Sequence, residues 1–283
     1  MKPMSNFINP IGLILGSGSL PDHLVRLLKR ENRPFVIIAF VGQTDPALVE
    51  KEKHCWVSLG EIEKPLEYLK QQGVQDLIFS GAIKRPSLKD LSLDKKAAKW
   101  IATIGIKAFG DDGLLSGIVS LVAKEGFRIM GVQDFLKNLQ TSPGVLGEQT
   151  VNPTDWEDIN RGIDVLKALG SLDIGQAVII ENRVVLSIEG AEGTDALIQR
   201  TKTLQKTPQG GVLVKLPKPN QSHLIDLPTI GLQTLENVKS NGLRGIAIGA
   251  DSTLVLDRET LIDTANKAGI FVMAIDLKSK NFR

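Results

Sequence analysis

Ile11-Gly-Leu-Ile-Leu-Gly-Ser-Gly-Ser-Leu-Pro21 decides the fold. Its first five residues form an apolar run of buried-strand length, followed by a glycine loop. Pro21 then suits the first turn of a helix, where its missing N–H leaves nothing unsatisfied. Working outward, Leu24, Leu27 and Leu28 recur at helical spacing, and Pro34 precedes an apolar strand over 35–40. Strand, helix and strand make one βαβ unit, which implies a parallel sheet covered by helices. A second unit follows, with a helix over roughly 64–72, Gly73 as its stop, and a strand over 76–80. Two more helices are predicted. One spans roughly 94–106, and the other starts at Asp111-Asp112 with Leu114, Leu115, Ile118, Leu121 and Val122 on one face.

The stretch Gln140-Thr-Ser-Pro-Gly144 breaks this pattern and places a domain boundary near 140. Beyond it, Thr154-Asp-Trp-Glu157 reads as a capping box, and Ile159, Ile163, Leu166 and Leu169 give the helix its buried stripe. Strands over 177–180 and 184–188 flank the polar turn Glu181-Asn-Arg183, as in a hairpin. Further strands are expected over 212–215, 245–248, 254–256 and 271–275, with a helix over 258–268. The fold class is therefore α/β in two domains, an N-terminal Rossmann-like domain over 1–140 and a C-terminal mixed α/β domain over 141–283.

Composition narrows the chemistry. The 283 residues include 34 Lys and Arg against 32 Asp and Glu, a formal net charge of +2. Near neutrality argues against bulk binding to nucleic acid. One cysteine, Cys55, excludes an internal disulfide and a cysteine-rich zinc site, and three scattered histidines disfavour a histidine one. A metal here would need mostly oxygen ligands, which points to magnesium, manganese or calcium. No apolar run approaches the roughly 18 residues of a membrane-spanning helix. The N-terminus is also a poor signal peptide, so the expectation is a soluble cytoplasmic protein.

Three residue groups could carry chemistry. Gly16-Ser-Gly18 sits where backbone N–H groups and a helix dipole can approach a phosphate, or it is only a tight strand-to-helix turn. Leu20-Pro21 replaces the third glycine of a dinucleotide motif, and Phe40-Val-Gly42 offers no acidic ribose ligand. Glu189-Gly-Ala-Glu-Gly-Thr-Asp195 gathers three carboxylates, Glu189, Glu192 and Asp195, with Thr194. A helix cap accounts for Thr194 or Asp195 but not for the other two, whereas a Mg²⁺ site would use several. Third, Asp226 lies between apolar residues and requires compensation by a cation, a metal or hydrogen bonds. Thr229 nearby reads as a helix cap or a site residue. Lys215 and Lys218 are phosphate contacts or exposed charges. Lys84 and Arg85 follow a strand end, a place where ligands gather in parallel sheets. Asp111 and Asp112 fit a helix start. Gln176 belongs to a turn or a polar site element.

Together these segments resemble the UDP-2,3-diacylglucosamine pyrophosphatases of lipid A biosynthesis, in the form found in alpha-proteobacteria. The residues that carry the resemblance are Gly12-Leu-Ile-Leu-Gly-Ser-Gly-Ser-Leu-Pro21, Lys84-Arg-Pro86, Gly110-Asp-Asp-Gly-Leu-Leu115 and Glu125-Gly-Phe127. In the second half they are Leu172-Asp-Ile-Gly-Gln176, Glu192-Gly-Thr-Asp195, Lys218-Pro-Asn-Gln221 and Asp226-Leu-Pro-Thr-Ile-Gly231. The resemblance implies a two-domain enzyme with its active-site cleft between the domains. It would hydrolyse UDP-2,3-diacylglucosamine with Mg²⁺, by water attack on the α-phosphorus, to UMP and 2,3-diacylglucosamine 1-phosphate (lipid X). Asp226 maps to the essential aspartate; Glu192, Thr194, Asp195 and Gln221 map to other motif residues. Ser222, Leu224 and Ser116 depart from the family's usual residues. On this reading Asp226, Glu192 and Asp195 are catalytic, and with Glu189 they hold the metal. Substrate contacts are Gly16, Ser17, Gly18, Lys84, Arg85, Asp111, Asp112, Gln176, Thr194, Lys215, Lys218, Gln221 and Thr229. A two-acyl substrate implies a cytoplasmic enzyme working at the inner-membrane surface, and a homo-oligomer is compatible with it. Two alternatives stand beside this reading: a Rossmann-like nucleotide-sugar or dinucleotide enzyme, and a non-enzymatic lipid- or nucleotide-binding protein.

Overall fold

The structure, a computed structural model, describes residues 9–83, 91–104, 111–136, 139–218 and 227–278. It divides into two compact units, one ending at Leu136 and the other continuing from Leu139 among the described residues.

In the first unit the elements run β1 (Ile11–Leu15), α1 (Ser19–Arg30), β2 (Phe35–Phe40), α2 (Pro46–Val49), β3 (His54–Val57) and α3 (Glu63–Gln71). They continue with β4 (Asp76–Ser80), α4 (Lys95–Ile104), α5 (Asp111–Lys124) and β5 (Arg128–Met130). The five strands are parallel, in the order β3-β2-β1-β4-β5. β1 is central, with Leu13 between Ile37 and Ile78, and all three side chains are fully buried. A strand covered on both faces needs an unbroken apolar run rather than alternation, which explains the opening sequence. The chain builds outward from β1 to β3 and then returns to β4 on the other side of β1. The sheet's direction of winding therefore reverses between β1 and β4.

One carboxylate fastens two helices of this unit. Asp94 accepts from the backbone N–H of Ile62 (2.5 Å) and Glu63 (2.8 Å) at the start of α3, and from Ala97 (2.7 Å) in α4. Burial opposes its charge, but the N–H groups of Ala97, Glu63, Ile62 and Lys96 outweigh that and hold its carboxyl below the ordinary 3.8. A depressed folded-state value contributes stability that is present above the unfolded pKa and lost as pH falls through the folded one. Urea unfolding should accordingly find Asp94→Ala about 1–2 kcal/mol less stable at pH 7. The gap should narrow only in acid, below the ordinary value of 3.8.

The second unit carries β6 (Gly144–Val145), α6 (Pro153–Gly170), β7 (Ala177–Glu181), β8 (Val184–Ile188), α7 (Thr194–Thr201) and β9 (Val212–Lys215). After these come β10 (Thr229–Ile230), α8 (Leu232–Ser240), β11 (Gly245–Gly249), β12 (Leu254–Val255), α9 (Arg258–Ala268) and β13 (Phe271–Ile275). Six strands form a mixed sheet, β6-β13-β11-β9-β7-β8, and β10 pairs with β12 separately. The central three strands are parallel, whereas β6 at one edge and the β7–β8 hairpin at the other run antiparallel. Both faces are covered: α7, α8 and α9 pack on one apolar layer, and α6 packs on the other.

Two local details correct or sharpen the expected elements. The start of α6 is not the box at Thr154: Asn152 caps it, exchanging hydrogen bonds with Asp155 (2.8 and 3.0 Å), and Pro153 occupies the first helical position. Asn is the stronger cap, and proline is preorganised for the position after it. The hairpin turn is as expected, with Asn182 (φ 51°) and Arg183 (φ 65°) both left-handed, as a two-residue turn of this twist requires. Asp158 on α6 accepts from both turn N–H groups, at 3.1 and 2.6 Å.

Candidate functional site

In the first unit the glycine loop is laced to the end of β4. Gly16 N–H donates to Ser80 O (2.9 Å), Ser17 N–H to Ala82 O (2.8 Å), and Ala82 N–H to Ser17 O (2.9 Å). The Ser17 hydroxyl also donates to Ala82 O. Such closeness requires glycine at both ends: a Cβ on Gly16 would lie 2.3 Å from Ala82 O, and one on Gly81 (φ 90°) 2.6 Å from Ser17 O. This alters the expected role of the loop. The amides of Gly16 and Ser17 are engaged within the sheet, so anion donors must come from Gly18 onward, at the start of α1, where no side chain caps the helix.

A cavity of about 600 Å³ opens beside this loop, over the carboxyl ends of β1, β2 and β3. It is lined by Gly16 to Gly18, by the segment from Val41 to Pro46, and by Leu48 and Trp56. Thr44 fixes its floor: the buried hydroxyl donates to Leu15 O (2.5 Å) and accepts from Phe40 N–H (2.9 Å), joining the ends of β1 and β2. Asp45 caps the short α2 through Ala47 N–H at 3.0 Å. The sequence reading stops at Gly42, where it finds no acidic ribose ligand, and does not reach Gln43 to Pro46 or give Trp56 a role at a site. The available signal was Gly42 with Asp45-Pro46, a turn and a helix start immediately after a parallel strand.

In the second unit the acidic segment separates instead of converging. Glu189, 5% exposed, accepts from Gln176 N–H (2.8 Å) and from the Thr194 hydroxyl (2.7 Å). The Lys215 ammonium, 7% exposed, donates to the same Thr194 hydroxyl (3.0 Å) and to Thr229 O (2.9 Å). Lysine, hydroxyl and carboxylate thus form one largely buried chain of hydrogen bonds through the half-buried Thr194, joining β9, the start of α7 and the end of β8. Glu192 faces elsewhere, paired with Arg200 at 2.9 Å. Its own backbone N–H, with help from Arg200, holds its carboxyl below the ordinary value. Asp195, exposed in the first turn of α7, accepts from Asn237 Nδ2 at 2.8 Å. Among the described residues no three His, Cys, Asp or Glu side chains gather around a common point.

The remaining expected residues divide clearly. Gln176, Thr194, Lys215 and Thr229 come together with Glu189. Lys218 pairs with Asp173 at 2.5 Å, in the turn that leads to Gln176. Thr229 does not cap a helix: it lies in β10, and α8 starts after Gly231. Asp111 and Asp112 begin α5 as expected. Lys84, Arg85, Gln221 and Asp226 lie outside the described residues.

Comparisons with known proteins complete the picture. The family model for the LpxI N-terminal domain matches residues 10–139, and that for the LpxI C-terminal domain matches residues 142–273. The UDP-2,3-diacylglucosamine pyrophosphatase LpxI of Caulobacter vibrioides is 34% identical over 273 residues, covering 94% of this chain and 97% of that protein. Among solved structures, a biotin carboxylase domain of the Hydrogenobacter thermophilus 2-oxoglutarate carboxylase matches at 10% identity with a TM-score of 0.26, covering 69% of this chain and 40% of that one. The biotin carboxylase subunit of a pyruvate carboxylase matches at 13% identity and a TM-score of 0.20, with the same coverage. Those two likenesses are too slight to bear on the fold, whereas the matched domains span nearly the whole sequence in order. The chain belongs to the LpxI family.

Proposed function

We propose that this protein is a UDP-2,3-diacylglucosamine diphosphatase of lipid A biosynthesis, releasing UMP and 2,3-diacylglucosamine 1-phosphate. The observation that carries this is the 34% identity with a pyrophosphatase of that name across nearly all of both chains. The 1–140 half acts as a Rossmann-like phosphate- and nucleotide-binding domain and the 141–283 half as the catalytic domain.

The residues have distinct roles in this reading. Amides at the start of α1 receive a phosphate, favoured by the helix dipole. Lys215 keeps a fixed positive charge at the base of the acidic segment and, through Thr194 and Thr229, holds α7 and the chain after Asp226 in register. Lys84, Arg85 and Lys218 offset phosphate charge. Asp226 orients the water that attacks the α-phosphorus. With Glu189 and Glu192 engaged by Thr194 and Arg200, Asp226 and Asp195 serve in this reading as the metal donors. That number still suits Mg²⁺, which commonly takes one or two carboxylates together with substrate oxygens and water. When bound, the ion would neutralise phosphoryl oxygens.

The substrate's two acyl chains keep it in a bilayer, so the enzyme works peripherally at the cytoplasmic face of the inner membrane. Among the described residues no helix is long and apolar enough to cross a membrane. Incubating the purified chain with UDP-2,3-diacylglucosamine in mixed micelles and following UMP tests the assignment. Release should require Mg²⁺, fall at least about a hundred-fold in EDTA and return when Mg²⁺ is restored in excess. No UMP under any of these conditions would refute the activity, and full release in EDTA would refute the metal.

A further inference from the structure

The cavity of the first unit is larger than one phosphate needs, and it lies to one side of the glycine loop. Its volume of about 600 Å³ falls within the roughly 300–1,000 Å³ of small-molecule sites. Its walls are mainly apolar, with a flat aromatic, Trp56, beside Val41, Pro46 and Leu48, and they carry polar groups on Ser17, Gln43 and Asp45. That mixture fits a planar heterocycle on a sugar rather than an acyl chain, which needs a long apolar channel.

The position of Trp56 follows from the pleat. On β3, Cys55 packs into the apolar layer on one face of the sheet, so its neighbour Trp56 projects to the other. His54 contacts the Trp56 ring edge-on, with centroids 6.2 Å apart and planes at 77°. Asp45 stands five residues beyond Phe40. In open parallel sheets with this strand order, a ribose lies over the end of the second strand, where an acidic side chain receives its hydroxyls. The segment Phe40-Val-Gly42 supplies no such group, but the turn carries the chain on to Asp45 in the same cavity. One oxygen of Asp45 accepts from Ala47 N–H, and a carboxylate has acceptor capacity at both oxygens.

We propose that this cavity is the nucleoside pocket of the substrate, with the base stacked on Trp56, the ribose hydroxyls on Asp45 and the adjoining phosphate on the first amides of α1. The inference rests on the pyrophosphatase reading for the identity of the nucleotide, and it adds the residues that select it.

Calorimetric titration of the full chain tests this with three ligands: UMP, ribose 5-phosphate and inorganic phosphate. Wild type should bind UMP at least about ten-fold more tightly than ribose 5-phosphate, because a stacked base contributes affinity on that scale. Trp56→Leu should erase most of that advantage, Trp56→Phe should keep part of it, and phosphate binding should not change. With UDP-2,3-diacylglucosamine, Trp56→Leu should raise KM at least about ten-fold with little change in kcat, and inhibition by 2,3-diacylglucosamine 1-phosphate should stay as in wild type. Equal affinities for UMP and ribose 5-phosphate in wild type overturn the pocket, whether or not the variants fold. So does an unchanged KM in a folded Trp56→Leu. If wild type binds UMP in this way but releases none from the lipid substrate, the pocket stands and the pyrophosphatase reading falls.

Discussion

Asp226→Ala is expected to slow UMP release by about a thousand-fold at saturating substrate, within the 10²–10⁴-fold that a positioned acid–base or water-orienting group supplies. Asp226 is the lone ionisable residue in Leu224-Ile-Asp-Leu-Pro228, a run whose apolar members favour a constrained setting. The chain that follows it is fastened three times in succession. Pro228 O accepts from Leu254 N–H (2.8 Å), Thr229 O from Lys215 Nζ (2.9 Å), and Ile230 O from Leu256 N–H (2.9 Å). Asp226→Asn keeps the shape and removes the charge, so it should be nearly as slow. Both variants should unfold at wild-type urea concentrations. Turnover within a few-fold of wild type in either one would remove Asp226 from the mechanism.

The second large effect is on stability. Glu189→Ala should cost about 3–4 kcal/mol in urea unfolding at pH 7. The change strips acceptors from Gln176 N–H and the Thr194 hydroxyl, and it leaves the buried Lys215 ammonium without the carboxylate across Thr194. Glu189→Gln retains one acceptor oxygen and the volume, so it should lose less, about 1–2 kcal/mol. A change below 1 kcal/mol in Glu189→Ala would mean that the chain of hydrogen bonds holds nothing. UMP release by Glu189→Ala should fall too, because the same bonds position α7 and Asp195.

Much of the framework is legible in the residues alone, and the reasons differ by element. β1 and β2 stand out because central parallel strands must be apolar on both faces, and the 177–188 hairpin because its turn chemistry is local. β3 is less visible: His54-Cys-Trp-Val57 is a four-residue edge strand with a mixed pattern. The start of α6 shifts by two residues because two capping patterns overlap, and the one with Asn at the cap and Pro after it prevails. The acidic segment misleads for another reason. Carboxylates close in sequence suggest convergence, but a glycine with φ 83° at Gly193 turns the chain into α7, and the three side chains meet Thr194, Arg200 and Asn237 separately. The cavity around Trp56 depends on which strands become neighbours, and a linear pattern holds no record of that.

The Ser17–Ala82 bridge has a consequence for how this chain can vary over time. Gly16 makes room for the backbone at Ala82 and Gly81 for the backbone at Ser17, so a side chain at either position would push the two loops apart. Neither can acquire a side chain while its counterpart stays in place, and replacing both would separate the loops altogether. Insertions and deletions should therefore collect elsewhere on the first unit, while these two short loops, 65 residues apart at the bridge, are inherited as one.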